Sequence, residues 1–281
     1  MFSIHSRNQV HHFDHPAVMG ILNVTPDSFS DGGRYNQMDN ALRHCEQLIS
    51  DGADIIDIGG CSTRPNNAIA TEKEELERVV PILKAVRNAF PDILISIDTF
   101  RKNVAEACIN EGADLINDIS GGLFDEEMLP YIGENHIPYV MMHCVGTPET
   151  MHQYTLDGDI HQTVHDFFKQ QCKVLEPFGE QQIILDPGIG FGKSLKANYH
   201  LLGDLERYRY NGLPILIGIS RKSLIFKVLQ TTPQAAENGT TVLNTIALLN
   251  GADILRVHDV KNAKEALRLV HTFRQSIGKT S

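Results

Sequence analysis

Cysteine is scarce and unpaired in this chain. Five residues, Cys45, Cys61, Cys108, Cys144 and Cys172, stand apart with no Cys-x-x-Cys among them. An odd, scattered set argues against a disulfide framework or a structural zinc site and fits a reducing compartment. Basic charge is also short: 25 Lys and Arg face 35 Asp and Glu, a formal charge of −10. That balance argues against nucleic acid as a partner, because phosphate backbones are held by net Lys and Arg. A small anionic substrate, which senses only the local field, stays open. No stretch approaches the ~20 apolar residues that span a bilayer. The opening MFSIHSRNQVHHFDH lacks the basic patch and apolar run of a secretory leader. The expectation is a cytoplasmic protein without membrane contact. Apolar residues make up 42% of 281 positions, too many for disorder and enough for one large core.

One local pattern recurs. Asp51-Gly52-Ala53-Asp54, Glu111-Gly112-Ala113-Asp114 and Asn250-Gly251-Ala252-Asp253 each end an amphipathic segment and precede an apolar run. The glycine suits the left-handed position that stops a helix, and the run reads as a strand buried on both faces. Strands are expected at Ala17–Val24, Ile55–Ile58, Leu94–Ile97, Leu115–Ile119, Pro138–Met142, Ile183–Leu185, Pro214–Ile219 and Ile254–Val257. Helical patterns lie between them, as in Lys73–Phe90, Gln162–Phe178 and Gly239–Leu249. Eight strands alternating with helices predict an α/β fold, a single-domain (β/α)8 TIM barrel over residues 17–281, with a doubly wound open sheet as runner-up. Residues 1–16 form a short extension expected to cap the barrel bottom.

Polar residues gather where the predicted strands end: Asn23, Gly59 and Gly60, Asp98, Asn117, His143, Asp186, Lys222, and Arg256 with His258. Barrel chemistry collects at that face. Asp98, Asn117 and Asp186 come from three strands. Their acceptors and donors suit a heterocycle with an amino-amide edge, such as a pterin or purine, although each could instead close backbone bonds. Asp57 lies inside its strand and reads as a group that satisfies the barrel interior. Lys222 fits a Schiff-base lysine, a hydrogen-bond donor to a ring, or a surface residue beside Arg221. Arg256 and His258 share one side of their strand and suit a phosphate or diphosphate. LDPGIGFGKS, residues 185–194, misses both nucleotide patterns: a phosphate loop needs Gly where Pro187 stands, and the glycines at 188, 190 and 192 break the dinucleotide spacing. Its glycines instead let backbone approach a flat ligand. Two loops, Asn23–Gly33 and Gly59–Asn67, offer Thr25, Ser28, Asp31, Ser62 and Arg64 to a closing lid. His143-Cys144 are two adjacent residues and make weak grounds for a metal site.

Together GILNVTPDSFSDGG (20–33), DIGGCSTRP (57–65), SIDT (96–99), INDISGG (116–122), MMHCVGTPETM (141–151), LDPGIGFGK (185–193), SRKS (220–223) and RVHDV (256–260) span the chain. On these segments it resembles the dihydropteroate synthases, pterin-binding barrel enzymes of folate synthesis. The resemblance implies condensation of 6-hydroxymethyl-7,8-dihydropterin diphosphate with 4-aminobenzoate, a sulfonamide-sensitive type of site, a Mg²⁺ cofactor and a homodimer. It implies a pterin held by Asp98, Asn117, Asp186, Lys222, Met141 and Phe191. Asn23, Thr63, Arg256, Val257 and His258 would hold the diphosphate, with Asn23 the metal ligand. Phe29, Thr63, Arg64, Pro65, Phe191 and Ser223 would border the aminobenzoate. Asp98, Lys222 and Arg256, with Asp31 and Arg64 of the closing loops, would carry catalysis along an SN1-like path.

Cys61 departs from the family, which usually has Glu in GGESTRP, and Asn66 replaces the common Gly. The expectation is a tolerated neutral substitution, oxidisable if exposed. Three rival readings remain: a pterin-dependent methyltransferase, which needs neither Lys222 nor the Arg256–His258 anion site; a pterin-binding protein without catalysis; and a Schiff-base aldolase.

Overall fold

The computed structural model describes residues 1–25, 34–61, 69–147, 150, 155–156 and 158–278, excepting the side chains of 34–37. The first turn of the chain is a hairpin. β1 (Phe2–Ser6) pairs antiparallel with β2 (Gln9–Phe13) across Arg7 and Asn8. Both turn residues have positive φ, 46° and 61°, the conformation that matches strand twist in a two-residue turn.

Eight parallel strands follow: β3 (Ala17–Asn23), β4 (Ile55–Gly59), β5 (Leu94–Asp98), β6 (Leu115–Asp118), β7 (Tyr139–Met142), β8 (Ile183–Asp186), β9 (Leu216–Ile217) and β10 (Ile254–Val257). Their neighbour order runs β8-β7-β6-β5-β4-β3-β10-β9. The two ends meet, because Leu185 N donates to Pro214 O at 2.8 Å beside a parallel bridge from Leu185 to Ile215. Chain-order neighbours and joined ends are a closed barrel; a doubly wound sheet would reverse order and keep two edges. β9 is shorter than the expected 214–219. It pairs with β10 only at Leu216 and Ile217.

Helices α1 (Arg34–Ser50), α2 (Glu72–Ala89), α3 (Lys102–Asn110), α4 (Met128–Asn135), α5 (Ile160–Leu175), α6 (Leu195–Gly203), α7 (Ser223–Phe226), α8 (Glu237–Leu249) and α9 (Val260–Ser276) lie in the connections. α2 starts one residue before the expected Lys73. Thr71 and Glu74 cap it reciprocally, a signal present in the sequence as Thr-x-x-Glu.

The recurring Gly-Ala-Asp segments serve one purpose three times. Gly52, Gly112 and Gly251 hold φ of 101°, 97° and 96°, open mainly to glycine. The Asp that follows accepts a backbone N–H from the adjacent strand: Asp54 from Val18 at 2.7 Å, Asp114 from Ile95 at 2.8 Å and Asp253 from Ile215 at 2.8 Å. Each is also paired with a cation, Lys264, Arg87 and Arg209 respectively. The helix stop and the strand register are thus fixed by the same four residues.

Strand side chains alternate between two clusters. Met19, Ile55, Leu94, Leu115, Val140, Ile184, Leu216 and Ile254 pack together inside the barrel with Ile4 and Phe13 of the hairpin. Val18, Ile56, Ile95, Ile116, Tyr139, Met141, Leu255 and Val257 pack outward with helix residues such as Val79, Leu83 and Val164. Two residues above the inner floor, the inward positions are Ile21, Asp57, Ser96, Asn117, Met142, Asp186, Gly218 and Arg256. Two above those lie Gly59 and Asp98.

Candidate active site

The polar inward level is held together by one cation. Arg256 of β10 donates through Nε to Asp57 Oδ2 at 2.6 Å and through a terminal nitrogen to Asp98 Oδ2 at 2.6 Å. It thereby bridges β4 and β5, and both carboxylates push its pKa further up against the effect of burial. Asn117 of β6 donates from Nδ2 to the same Asp57 oxygen at 3.1 Å. Asp57 is fully buried. It does not merely satisfy the interior; it joins two residues expected to hold different parts of the substrate. Asp98 is pushed up to about 7, chiefly by burial and with Asp57 adding to it, while Arg256 works against the rise.

Lys222 follows β9 and reaches over the barrel. Its Nζ donates to Ile189 O at 2.7 Å and stands 4.5 Å from the centroid of the Phe191 ring. Burial lowers it to about 8, with Asp186 opposing. Asp186 accepts from Gly188 N at 2.7 Å and keeps lone pairs for a ligand. Burial raises its pKa, and Lys222 lowers it. Arg221, beside Lys222, is bonded through two nitrogens to Asp259 at 3.1 and 2.6 Å. That pair ties the loop after β9 to the start of α9.

The loop after β8 is braced from within. Lys193, itself buried, donates to the carbonyls of His143, Gly188 and Phe191 at 3.1, 2.9 and 3.1 Å. A Cβ at Gly188 would stand 1.9 Å from His143 O, and its φ is +66°, so only glycine lets the loop approach β7 this closely. Gly190 N donates to Asn198 Oδ1 at 2.7 Å. Burial lowers Lys193 to about 7. His143 is brought down to about 2 by burial and by Lys193, and its Nδ1 is buried with no hydrogen-bond partner among the described residues. It is a neutral packing histidine, edge-on to Phe167 at 5.0 Å. Among the described residues no cluster of His, Cys, Asp or Glu could hold a metal by itself.

At the rim, Ser220 Oγ lies 2.9 Å from His258 Nδ1 and accepts from His258 N at 3.2 Å, which orients the ring. Ser223 begins α7 and is half-buried. Asn23 ends β3 opposite Gly59. A Cβ on Gly59 would meet Asp98 Oδ2 at 3.5 Å and Asn23 Oδ1 at 3.6 Å, so glycine keeps the space between those oxygens open.

Asp98, Asn117, Asp186, Lys222, Arg256, Asn23, His258, Phe191 and Ser223 thus gather around one rim. Two expectations change. Met141, expected beside the pterin, lies on the outward register and packs against the helix layer. The methionine on the inward register is Met142, the strand partner of Asp186, packed with Ile119 and Cys144 near Phe191. Val257, expected at the diphosphate, is likewise outward; only its backbone can face the site. Phe29, Asp31, Thr63, Arg64 and Pro65 lie outside the described residues, as do Ser28 and Ser62. Asp57, Met142, Lys193 and Ser220 were missed. Two-residue alternation from Ile55 and Val140 carries the signal for the first two.

A family model described as pterin binding enzyme matches residues 19–258. The chain is 46% identical over 247 residues to a dihydropteroate synthase of Synechocystis sp., covering 87% of this chain and 85% of the relative. It superposes on the Yersinia pestis dihydropteroate synthase, solved with a sulfonamide drug complex, with a TM-score of 0.89 at 39% identity, over 98% of this chain and 100% of that one. It is similar also to the Burkholderia cenocepacia dihydropteroate synthase complexed with 7,8-dihydropteroate, with a TM-score of 0.87 at 34% identity, over 99% of this chain and 98% of that one.

Proposed function

This chain belongs to the pterin-binding enzymes, among the dihydropteroate synthases, and we infer that it joins 6-hydroxymethyl-7,8-dihydropterin diphosphate to 4-aminobenzoate, giving 7,8-dihydropteroate and pyrophosphate. The observation that carries this reading is the placing of Arg256, an anion-binding cation, between Asp57 and Asp98, with Asn117 on the same Asp57 oxygen. Ring-binding and diphosphate-binding groups then form one network. A pterin-dependent methyltransferase has no need for that cation.

The acceptors Asp98 and Asp186, the amide of Asn117 and the ammonium of Lys222 match the donors and acceptors of a pterin edge, and Phe191 and Met142 give it apolar walls. In the reaction the C–O bond between the methylene carbon and the diphosphate breaks, and the electron pair leaves with oxygen. The methylene cation that forms is conjugated to the ring. The amine nitrogen then supplies its lone pair to the new C–N bond and gives up a proton to solvent. Arg256 neutralises charge on the departing oxygens, and the Asp98 carboxylate stabilises the cation. Aniline-type nitrogen is neutral at pH 7, so no strong base is required.

The open space between Asn23 Oδ1 and Asp98 Oδ2 fits a magnesium ion that arrives on the diphosphate, since such ions use few protein ligands alongside phosphate oxygens and water. Asn23 would hold it, and when bound it supplies further neutralisation of the leaving group. The likeness to the Yersinia enzyme in its sulfonamide complex supports the same drug class as ligands on the aminobenzoate side.

We further read the chain as a cytoplasmic homodimer. Five free cysteines support a reducing setting. Val242, Ile246 and Leu249 on α8 and Leu269 and Phe273 on α9 are exposed at helical spacing, which supports burial of that face against a second copy. Light scattering at micromolar concentration checks it.

The deciding experiment is pyrophosphate release from the pterin diphosphate with Mg²⁺, with and without 4-aminobenzoate. Release that depends on aminobenzoate, with dihydropteroate formed, is the expected result. Pterin binding without release would overturn the enzymatic reading.

A further inference from the structure

Asp57 is a buried carboxylate that these roles leave unassigned. It is wholly enclosed, one level below the rim. Its Oδ2 accepts from Arg256 at 2.6 Å and from Asn117 Nδ2 at 3.1 Å. Its Oδ1 is buried without a hydrogen-bond partner among the described residues. A carboxylate bonded to a guanidinium presents acceptors only. The Asn117 atom that faces it must therefore be the amide N–H₂, and the carbonyl Oδ1 of Asn117 is turned away from Asp57. The opposite amide orientation would set two buried acceptors against each other and cost the Asn117 amide N–H₂ this partner.

We propose that Asp57 is a positioning residue that fixes Asn117 as an acceptor toward the pterin ring and holds Arg256 in place for the diphosphate. One carboxylate then sets the hydrogen-bond polarity of the ring pocket and couples the two halves of the substrate. The inference rests on the pterin reading above. Its chemical content is that the Asn117 carbonyl oxygen is kept free of Asp57 and offered to an N–H donor on the ring edge. Asp57 itself does not reach the substrate; it acts through Asn117 and Arg256.

A donor–acceptor exchange tests this. Bare 6-hydroxymethyl-7,8-dihydropterin is titrated calorimetrically into the full chain and into Asp57→Asn, Asn117→Asp and the double variant, with a thermal melt of each. Asn117→Asp sets carboxylate against carboxylate and should lose binding. In the double variant the new amide at 57 donates to the new carboxylate at 117, which again shows an acceptor to the ring. Binding should recover about tenfold over Asn117→Asp alone, the scale of one buried charged hydrogen bond. Asp57→Asn alone keeps an acceptor for Asn117 but removes the charge that holds Arg256, so it should weaken inorganic pyrophosphate more than this pterin. A merely structural role would track the melting temperature and show no rescue. A double variant no better than Asn117→Asp, or wild-type pyrophosphate binding by Asp57→Asn, overturns the inference while leaving the pterin reading intact. Failure of the unsubstituted chain to bind this pterin would overturn both.

Discussion

Lys222 stands 4.5 Å from the centroid of the Phe191 ring while its ammonium donates to Ile189 O at 2.7 Å. The cation is therefore fixed by a ring and a carbonyl of the neighbouring loop, and among the described residues no carboxylate accepts a hydrogen bond from it. A cation over an aromatic face gains about 0.5–2 kcal/mol, and only in its protonated form. Burial pulls the proton the other way, to about 8.

That balance gives a pH dependence. If the ammonium donates to the pterin, its contribution to affinity for bare hydroxymethyl-dihydropterin is full below about 8 and is lost above it, by about tenfold per pH unit at the limit. Lys222→Arg keeps its proton at all these pH values, so the alkaline decline should vanish even where binding is weaker overall. Calorimetry across the alkaline range checks it. An unchanged decline in the arginine variant would assign it to another group.

Asp98→Asn separates binding from chemistry. The carboxamide keeps an oxygen acceptor for the ring but removes the negative charge beside the developing cation. Turnover should fall on the order of 100-fold, the scale of a lost electrostatic stabiliser, while pterin affinity changes much less. Single-turnover rates and binding constants measured together decide the point; equal turnover would sink the charge-stabilised path.

Lys193 should matter without touching substrate. Its ammonium serves three carbonyls inside the protein. Lys193→Met keeps the stem and strands those acceptors, at about 1–3 kcal/mol for each one left unsatisfied. The melting temperature should drop by several degrees and pterin affinity should fall with it, because Phe191 O is one of the three. A variant as stable as the parent would show that the brace is dispensable.

Cys61 is half-buried, and burial raises its pKa. The thiol is therefore protonated at neutral pH and should react slowly with alkylating reagents, more slowly than a free thiol such as glutathione. It is accordingly a poor candidate for oxidation, which was expected only of an exposed thiol. Cys61→Glu restores the family residue and should leave the KM for aminobenzoate within a few-fold. A many-fold change would mean that this position tunes the second loop.

The alternation of strands and helices, the glycine stops and the gathering of polar residues at strand ends were legible in the sequence. Each is a local pattern: period, turn chemistry and the last residue of a strand are set by near neighbours in the chain. Asn117, Asp186 and Arg256 could be named for the same reason. Side-chain direction was not so readable. Met141 and Met142 are adjacent and alike; alternation separates them only once the inward face of β7 is known, and its pairing with β8 supplies that. Closure of the barrel likewise rests on a contact between Leu185 and Pro214–Ile215 that no single segment announces. Asp57 is the clearest case: its partners Asn117 and Arg256 lie 60 and 199 residues away. In the sequence it is one acidic residue inside an apolar strand. Only closure of eight strands brings a cation and a carboxamide to the same oxygen, because hydrogen bonds depend on distance in space and the chain sets that distance only once it has folded.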